Sequence, residues 1–479
     1  MAAVHVCCGS GGLARRLGAI CRHLCGDLVG AKGFLTQAPA LARETASSEA
    51  QPSSAAAAVT YDDRLTETSR ARMQSPIRAL GPIAAMPGMI SLGAGNPNPA
   101  AFPFESAKIS LKGGGMVELD EELMKTALQY GPTAGIPQLM AWARDLQRRE
   151  HAPPRPESEW EIAFTTGSQD AISKTCDMLL SRGDSVLVEE PCYPGTLAVM
   201  QPLGVNIVGL RTDAQGLIPE SLDEVMSNWA GSNPRPRVLY TIPTGHNPSG
   251  ATIPSDRRWA IYNLARKFDL LIMEDDPYYF LQLDGPADEG GVRKPPPSFL
   301  SMDEDGRVMR FDSLSKVLSS GFRIGFATGP KMLIERLVLH MQTSALCTSG
   351  ISQACAFALL KQWGTEGWAS HVNSVQTLYR KRRDHFIACA ERHLEGLAEW
   401  SVPEAGMFVW MRLLGVTDSK ALIEGPARDA KVLLVPGQYF SSDPMRPSSW
   451  VRASYSIPSD EDMDEALHRL AVLLKQYKQ

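Results

Sequence analysis

What this 479-residue chain has little of narrows its function first. Its formal net charge is only −5, from 48 Lys and Arg against 53 Asp and Glu, so no basic field exists for a polyanion to follow and nucleic acid is not an expected partner. No uninterrupted apolar stretch reaches the roughly 18 residues that signal a membrane span, and no membrane association is expected. Nine cysteines in so long a chain, without close metal-type spacing in its body, read as reduced thiols rather than a disulfide framework, and no metal site is expected. No repeat of solenoid period is present. What remains, 44% hydrophobic and 21% charged residues, is the balance of a globular protein with material for a large core.

The first 58 residues differ from everything after them. They are rich in Ala, Gly and Ser, hold Cys7, Cys8, Cys21 and Cys25, and before Glu44 set Arg15, Arg16, Arg22, Lys32 and Arg43 against the single acid Asp27. That composition is the mark of an organellar transit peptide and predicts a mitochondrial matrix protein. The stretch from Leu13 to Leu24 predicts a basic amphipathic helix with Leu13, Leu17, Ile20 and Leu24 on one face. A low-complexity tail has the same composition and is the competing reading. The Gly9-Ser-Gly-Gly run is no nucleotide loop, because no strand precedes it and no β-α-β pattern follows.

Past Tyr61, short apolar strands alternate with helices. Trp160–Thr166, Ser185–Glu189, Val205–Leu210, Arg237–Ile242, Leu270–Asp275 and Gly306–Phe311 read as strands, with helices near 170–180, 196–203 and 255–268 between them. Such alternation predicts an α/β fold with a mainly parallel sheet, covered by helices on both faces. From Val338 long helical stretches dominate until Met407-Phe-Val-Trp-Met, a buried strand of a smaller α+β region. The expected organisation is a leader at 1–58, an N-terminal arm with a substrate-side loop at 59–100, a large domain at 101–345 and a small domain at 346–479.

The chemistry concentrates in a few loops that follow strands. Asp312-Ser-Leu-Ser-Lys316-Val-Leu-Ser-Ser-Gly-Phe-Arg323 combines one lysine with hydroxyls and an arginine. Pyridoxal phosphate needs that set: an amine for a Schiff base, donors for its phosphate, and a carboxylate for its pyridine nitrogen. Lys316 offers the amine, and Ser313, Ser315 and Arg323 offer donors, the arginine by its planar fork. Asp275, in Glu274-Asp-Asp-Pro-Tyr278, emerges where an open α/β sheet binds its ligands, and suits the ring nitrogen. Tyr278 and Asn247, the latter in His246-Asn-Pro-Ser-Gly, suit the ring's phenolic oxygen. Gly167-Ser168-Gln169 opens a helix where backbone N–H groups attract an anion. Tyr193, in Glu190-Pro-Cys-Tyr, suits stacking on the ring. Each motif alone also reads as a turn, a helix cap or a surface side chain.

Taken together and in this order, these residues resemble the fold-type I pyridoxal-phosphate-dependent aminotransferases of class I and II, and within them the mitochondrial kynurenine/α-aminoadipate subgroup. The resemblance runs from Ser75 to the C-terminus through Ser75-Pro-Ile-Arg78, Pro97-Asn-Pro, Phe102-Pro-Phe, Leu128-Gln-Tyr130, Glu274-Asp-Asp-Pro-Tyr-Tyr-Phe-Leu-Gln, Gly396-Leu-Ala-Glu-Trp and Ala405-Gly-Met-Phe. It implies a seven-stranded, mainly parallel sheet and a homodimer with shared active sites. Lys316, Asp275 and Tyr193 would be catalytic. Ser168, Gln169, Ser313, Ser315, Arg323, Asn247 and Tyr278 would hold the cofactor, with the partner subunit's Tyr130 at its phosphate. Arg452 would clamp the substrate carboxylate, with Arg78, Gly95 and Asn247 beside it. The implied reaction moves the amino group of L-2-aminoadipate or L-kynurenine to 2-oxoglutarate, with aromatic or branched donors as the alternative. Asn96, Cys192 and the Thr244-Gly-His246 turn depart from the pattern, and Asn96 puts the side-chain preference in doubt.

Overall fold

The computed structural model describes residues 59–477, apart from 85 and 94. The leader and its expected helix lie outside the described residues. A hairpin of β1 (Ala107–Ser110) and β2 (Met116–Leu119) comes first. Next are β3 (Trp160–Thr165), β4 (Ser185–Glu190), β5 (Asn206–Asp213), β6 (Gly216–Leu217), β7 (Val238–Thr241), β8 (Leu271–Asp275), β9 (Val308–Ser313) and β10 (Gly325–Pro330). They form one sheet in the order β3-β10-β9-β8-β7-β4-β5-β6. Strands β9, β8, β7, β4 and β5 are parallel neighbours, whereas β10 runs against both β3 and β9. The two-residue β6 only extends the edge, so seven substantial strands stand as expected, with a short eighth.

The sheet is buried on both sides because its strands are apolar at successive positions, as parallel sheets require. On β4, Val186 and Val188 join the core on one face while Leu187 joins the core on the other. On β8, Leu271 and Met273 share the first core and Ile272 the second. The helix Ser255–Phe268 covers the second face through Ile261, Tyr262 and Ala265, and its limits are those read from the sequence.

A long helical stretch, Gly350–Leu394, breaks at Gly364, whose φ of 58° no helix admits. Its first part buries Ala356 and Leu360 against the large sheet's flank, and its last part buries Phe386, Ala390 and Leu394 in a separate core. That core lies under β11 (Ala398–Trp400), β12 (Phe408–Leu413), β13 (Val435–Pro436) and β14 (Trp450–Ser454), an antiparallel sheet ordered β11-β12-β14-β13. The helix Asp460–Tyr477 closes it with Met463, Leu467 and Leu470. Several short elements lie outside the sequence pattern, among them the β1–β2 hairpin and β10. In the β1–β2 hairpin, β1 is mostly exposed and β2 alternates exposed and buried residues over only four positions. Strand β10 begins two residues after Arg323, so in sequence it runs on from the lysine loop.

Strands β3, β4, β7, β8 and β9 share one direction and end at Thr165, Glu190, Thr241, Asp275 and Ser313. Every loop that carried a chemical motif therefore leaves the same edge of the sheet, the edge where open α/β sheets bind ligands.

Candidate active site

Asp275 is the last residue of β8 and is buried. Its Oδ2 accepts a 2.7 Å hydrogen bond from the Tyr240 hydroxyl on neighbouring β7. Its Oδ1 is buried without any partner. Burial pushes the carboxyl up to about 7; the Tyr240 hydrogen bond opposes this and the neighbouring Asp276 adds to it. Tyr240 was not foreseen, because in sequence it is one more apolar-patterned strand residue.

Behind Asp275, Arg310 on β9 has no solvent exposure and pairs with Glu274 at 3.2 Å, Asp276 at 3.0 Å and Asp312 at 2.9 Å. The Tyr279 ring lies 4.9 Å from its guanidinium carbon. A buried arginine survives only with such partners, and these fix the loop that begins at Asp276. In sequence it is only an arginine inside an apolar strand.

Lys316 follows β9 and is half-buried. Burial lowers its amine below the ordinary range; Arg323 and Arg452 push the same way and Asp275 opposes them. The lysine, the aspartate and both arginines are therefore electrostatic neighbours. Arg323 Nη1 donates to Ser315 Oγ at 3.3 Å, Nη2 donates to the Thr166 carbonyl at 3.3 Å, and Ser313 Oγ accepts from the Ser315 backbone N–H at 3.2 Å. The helix Ser168–Leu179 starts against them. Gly167, with φ of 78°, is its cap; Ser168, which the sequence also allowed as a cap, is the first helical residue, leaving its own N–H available. Gln169 Nε2 donates to the Gly195 carbonyl at 2.9 Å, tying this helix to the Tyr193 segment.

Tyr193 is half-buried, and its phenol is raised by burial and Asp275, against Arg452 and Arg323. Tyr278 is buried and packs edge-on to Phe408 at 5.9 Å. Burial raises its phenol, and a hydrogen bond from Asn247 opposes the rise. Arg452 on β14 donates from Nη1 to Asn247 Oδ1 at 2.9 Å. Its guanidinium carbon lies 4.3 Å from the Phe408 ring and 5.2 Å from Phe440, while its Nε is buried without a partner. The two aromatic shelves were not foreseen either.

The structure thus gathers Lys316, Asp275, Tyr193, Tyr278, Asn247, Arg323 and Arg452 in one place. Arg78, Gly95, Asn96 and Tyr130 instead line a separate cleft of about 780 Å³, where Arg78 Nη1 donates to the Gly131 carbonyl at 3.0 Å.

Comparison with known proteins accords with this arrangement. Residues 87–470 match the family model for aminotransferase class I and II. The mitochondrial kynurenine/alpha-aminoadipate aminotransferase of Bos taurus is 46% identical over 429 residues, 87% of this chain and 99% of the relative. The crystal structure of aminotransferase Aro8 from Candida albicans superposes with a TM-score of 0.79 at 30% identity, covering 88% of this chain and 99% of that one. The Pyrococcus horikoshii kynurenine aminotransferase, solved in complex with PMP, gives 0.68 at 27% identity over 86% of this chain and 97% of that one. The chain belongs to the class I and II aminotransferases and is a pyridoxal-phosphate enzyme of fold-type I.

Proposed function

We propose that this enzyme moves the amino group of L-2-aminoadipate or L-kynurenine to 2-oxoglutarate, giving the 2-oxo acid and L-glutamate. The observation that carries the reading is a pair of buried atoms without hydrogen-bond partners on two residues that both act electrostatically on Lys316, Asp275 Oδ1 and Arg452 Nε. An unsatisfied buried acceptor beside one strand end suits a ring N–H, and an unsatisfied guanidinium N–H suits a carboxylate. The residues present therefore fit pyridoxal phosphate and an α-amino acid.

When bound, the cofactor supplies an electron sink that lets the substrate's Cα release its proton. Asp275 would keep the ring nitrogen protonated, with Tyr240 holding the carboxylate in place. Tyr278 and Asn247 would hydrogen-bond the phenolic oxygen, and Tyr193 would cover the ring. Ser168, Gln169, Ser313, Ser315 and Arg323 would hold the phosphate. Lys316 would bind the cofactor covalently at rest and, once displaced by the amino acid, carry the proton from Cα as general base and acid. Its lowered pKa favours that work near neutral pH. Arg452 would clamp the carboxylate that donor and acceptor share.

The bovine relative's name supports the substrate class and the mitochondrial location, which we place in the matrix from the basic leader. We assign a homodimer on the exposed apolar side chains of the arm, among them Ile90, 88% exposed, and Leu92, 98% exposed, which a second copy would cover together with the partner subunit's Tyr130. Rates of the purified enzyme on aminoadipate, kynurenine, aromatic and branched donors with 2-oxoglutarate test the reading. Aminoadipate and kynurenine should lead, and a branched or aromatic donor that outran both would replace the assignment.

A further inference from the structure

The segment after β7, residues 242–253, is closed on itself: the His246 backbone N–H donates to the Ala251 carbonyl at 2.8 Å, and the Ile253 N–H to the Pro243 carbonyl at 2.9 Å. Asn247 sits in this loop, and four side chains from other elements tie it down. Arg258 Nη2 donates to the Pro243 carbonyl at 2.9 Å and to Thr244 Oγ1 at 3.1 Å. Thr244 Oγ1 donates to Asp276 Oδ2 at 3.3 Å, and Arg452 reaches Asn247 itself. The fourth tie is Glu189, the penultimate residue of β4 and fully enclosed. Its Oε2 accepts from the Ile242 backbone N–H at 2.8 Å and lies 3.3 Å from His246 Nε2. The Ser249 N–H points at His246 Nδ1 from 3.4 Å, and the Ser249 hydroxyl lies 2.8 Å from it. That contact assigns the ring proton to Nε2, so the imidazole donates to Glu189.

We propose that Glu189 and His246 are positioning residues for Asn247: the carboxyl grips both the start of the loop and the residue before Asn247, and so sets where the Asn247 amide meets Arg452 and Tyr278. This rests on the reading of Asn247 given above. Both side chains are buried, and neither has a part in the chemistry assigned to the site. Burial holds the imidazole down to about 3 and lifts the carboxyl to about 8, so around neutrality the link is a hydrogen bond between neutral groups rather than an ion pair. Arg452 receives the same support indirectly, because the Asn247 oxygen it binds belongs to the held amide.

The test uses the holoenzyme with Glu189→Ala, His246→Ala, Glu189→Gln and Asn247→Ala, each reconstituted with pyridoxal phosphate. Two quantities are read: KM for donor and for acceptor, and the pH midpoint of the cofactor's visible absorbance. Both alanine variants at the pair should raise the two KM values together by about tenfold, the factor that one lost hydrogen bond of about 1.4 kcal/mol produces, and should shift the midpoint in the same direction as Asn247→Ala. Glutamine reproduces the neutral carboxyl, keeps an acceptor for Ile242 and His246, and should stay within about twofold of wild type. The proposal is overturned if Asn247→Ala moves KM and midpoint while both pair variants lower only the melting temperature. It is equally overturned if Glu189→Gln is as damaged as Glu189→Ala, since charge would then be what matters. An Asn247→Ala enzyme that moved neither quantity would instead remove the role given to Asn247, and this inference with it.

Discussion

A carboxyl buried beside a tyrosine hydroxyl is costly to ionise until something cationic arrives, and Asp275 is that group here. In the cofactor-free chain its pKa rises from 3.8 to about 7, chiefly by burial. A raised carboxyl contributes stability that is complete below about pH 4 and is lost as the pH climbs through 7. Asp275→Asn, neutral at every pH, should therefore lose to wild type least at high pH: in urea melts of cofactor-free protein, wild type's margin over the variant should shrink from pH 4 to pH 8. A constant margin would mean that the carboxyl is not burdened by burial. With cofactor bound the sign reverses, because the ionised form now has a partner, and turnover of Asp275→Asn should fall by orders of magnitude. Arg452→Lys keeps the charge but loses the fork. It should raise KM for donors and acceptors alike by roughly ten- to a hundredfold, the range for losing a charged hydrogen bond of about 1.5–3 kcal/mol. A change confined to one donor would move the carboxylate clamp elsewhere.

At the scale of elements, the junction between β3 and the helix Ser168–Leu179 is the most exacting. Gly167 has φ of 78°, and a Cβ there would run into the Arg323 guanidinium. Gly167→Ala should displace that arginine and weaken pyridoxal phosphate binding by about tenfold or more in an equilibrium titration, while the chain still folds. Unaltered affinity would mean that Arg323 does not serve the phosphate. How legible these elements were depends on burial. Strand β8 is apolar up to its two terminal acids and buried throughout, so its place and the exit of Asp275 from it followed from the residues alone. The loop motifs around Lys316 and Asn247 could be read because polar groups cluster there directly after apolar runs. Tyr240, Arg310, Phe408 and the Glu189–His246 pair could not. Each acts through a partner more than 30 residues away in sequence, and local pattern carries no information about such pairings. The β1–β2 hairpin is hidden for a different reason, since β1 is mostly exposed and the alternation of β2 spans only four residues.

For the molecule as a whole, the exposed apolar arm carries the proposed dimer. Replacing both Ile90 and Leu92 with glutamate should convert the proposed dimer to monomer in sedimentation velocity. Cofactor affinity should fall with it if, as proposed, the partner subunit's Tyr130 reaches the phosphate. A monomeric double variant with intact affinity would confine the site to one chain. The leader has its own test: residues 1–60 fused to a reporter should carry it into the mitochondrial matrix, and cytosolic retention would reduce the extension to a tail.

Beneath all of these lies the assignment of Lys316 as the residue that holds the cofactor. Borohydride reduction of the yellow holoenzyme, followed by peptide mapping, measures it directly. The expected result is a single pyridoxyl adduct on Lys316, absent from Lys316→Ala, a variant that keeps some cofactor through its phosphate contacts but does not turn over. An adduct on another lysine, or full turnover by Lys316→Ala, would contradict it.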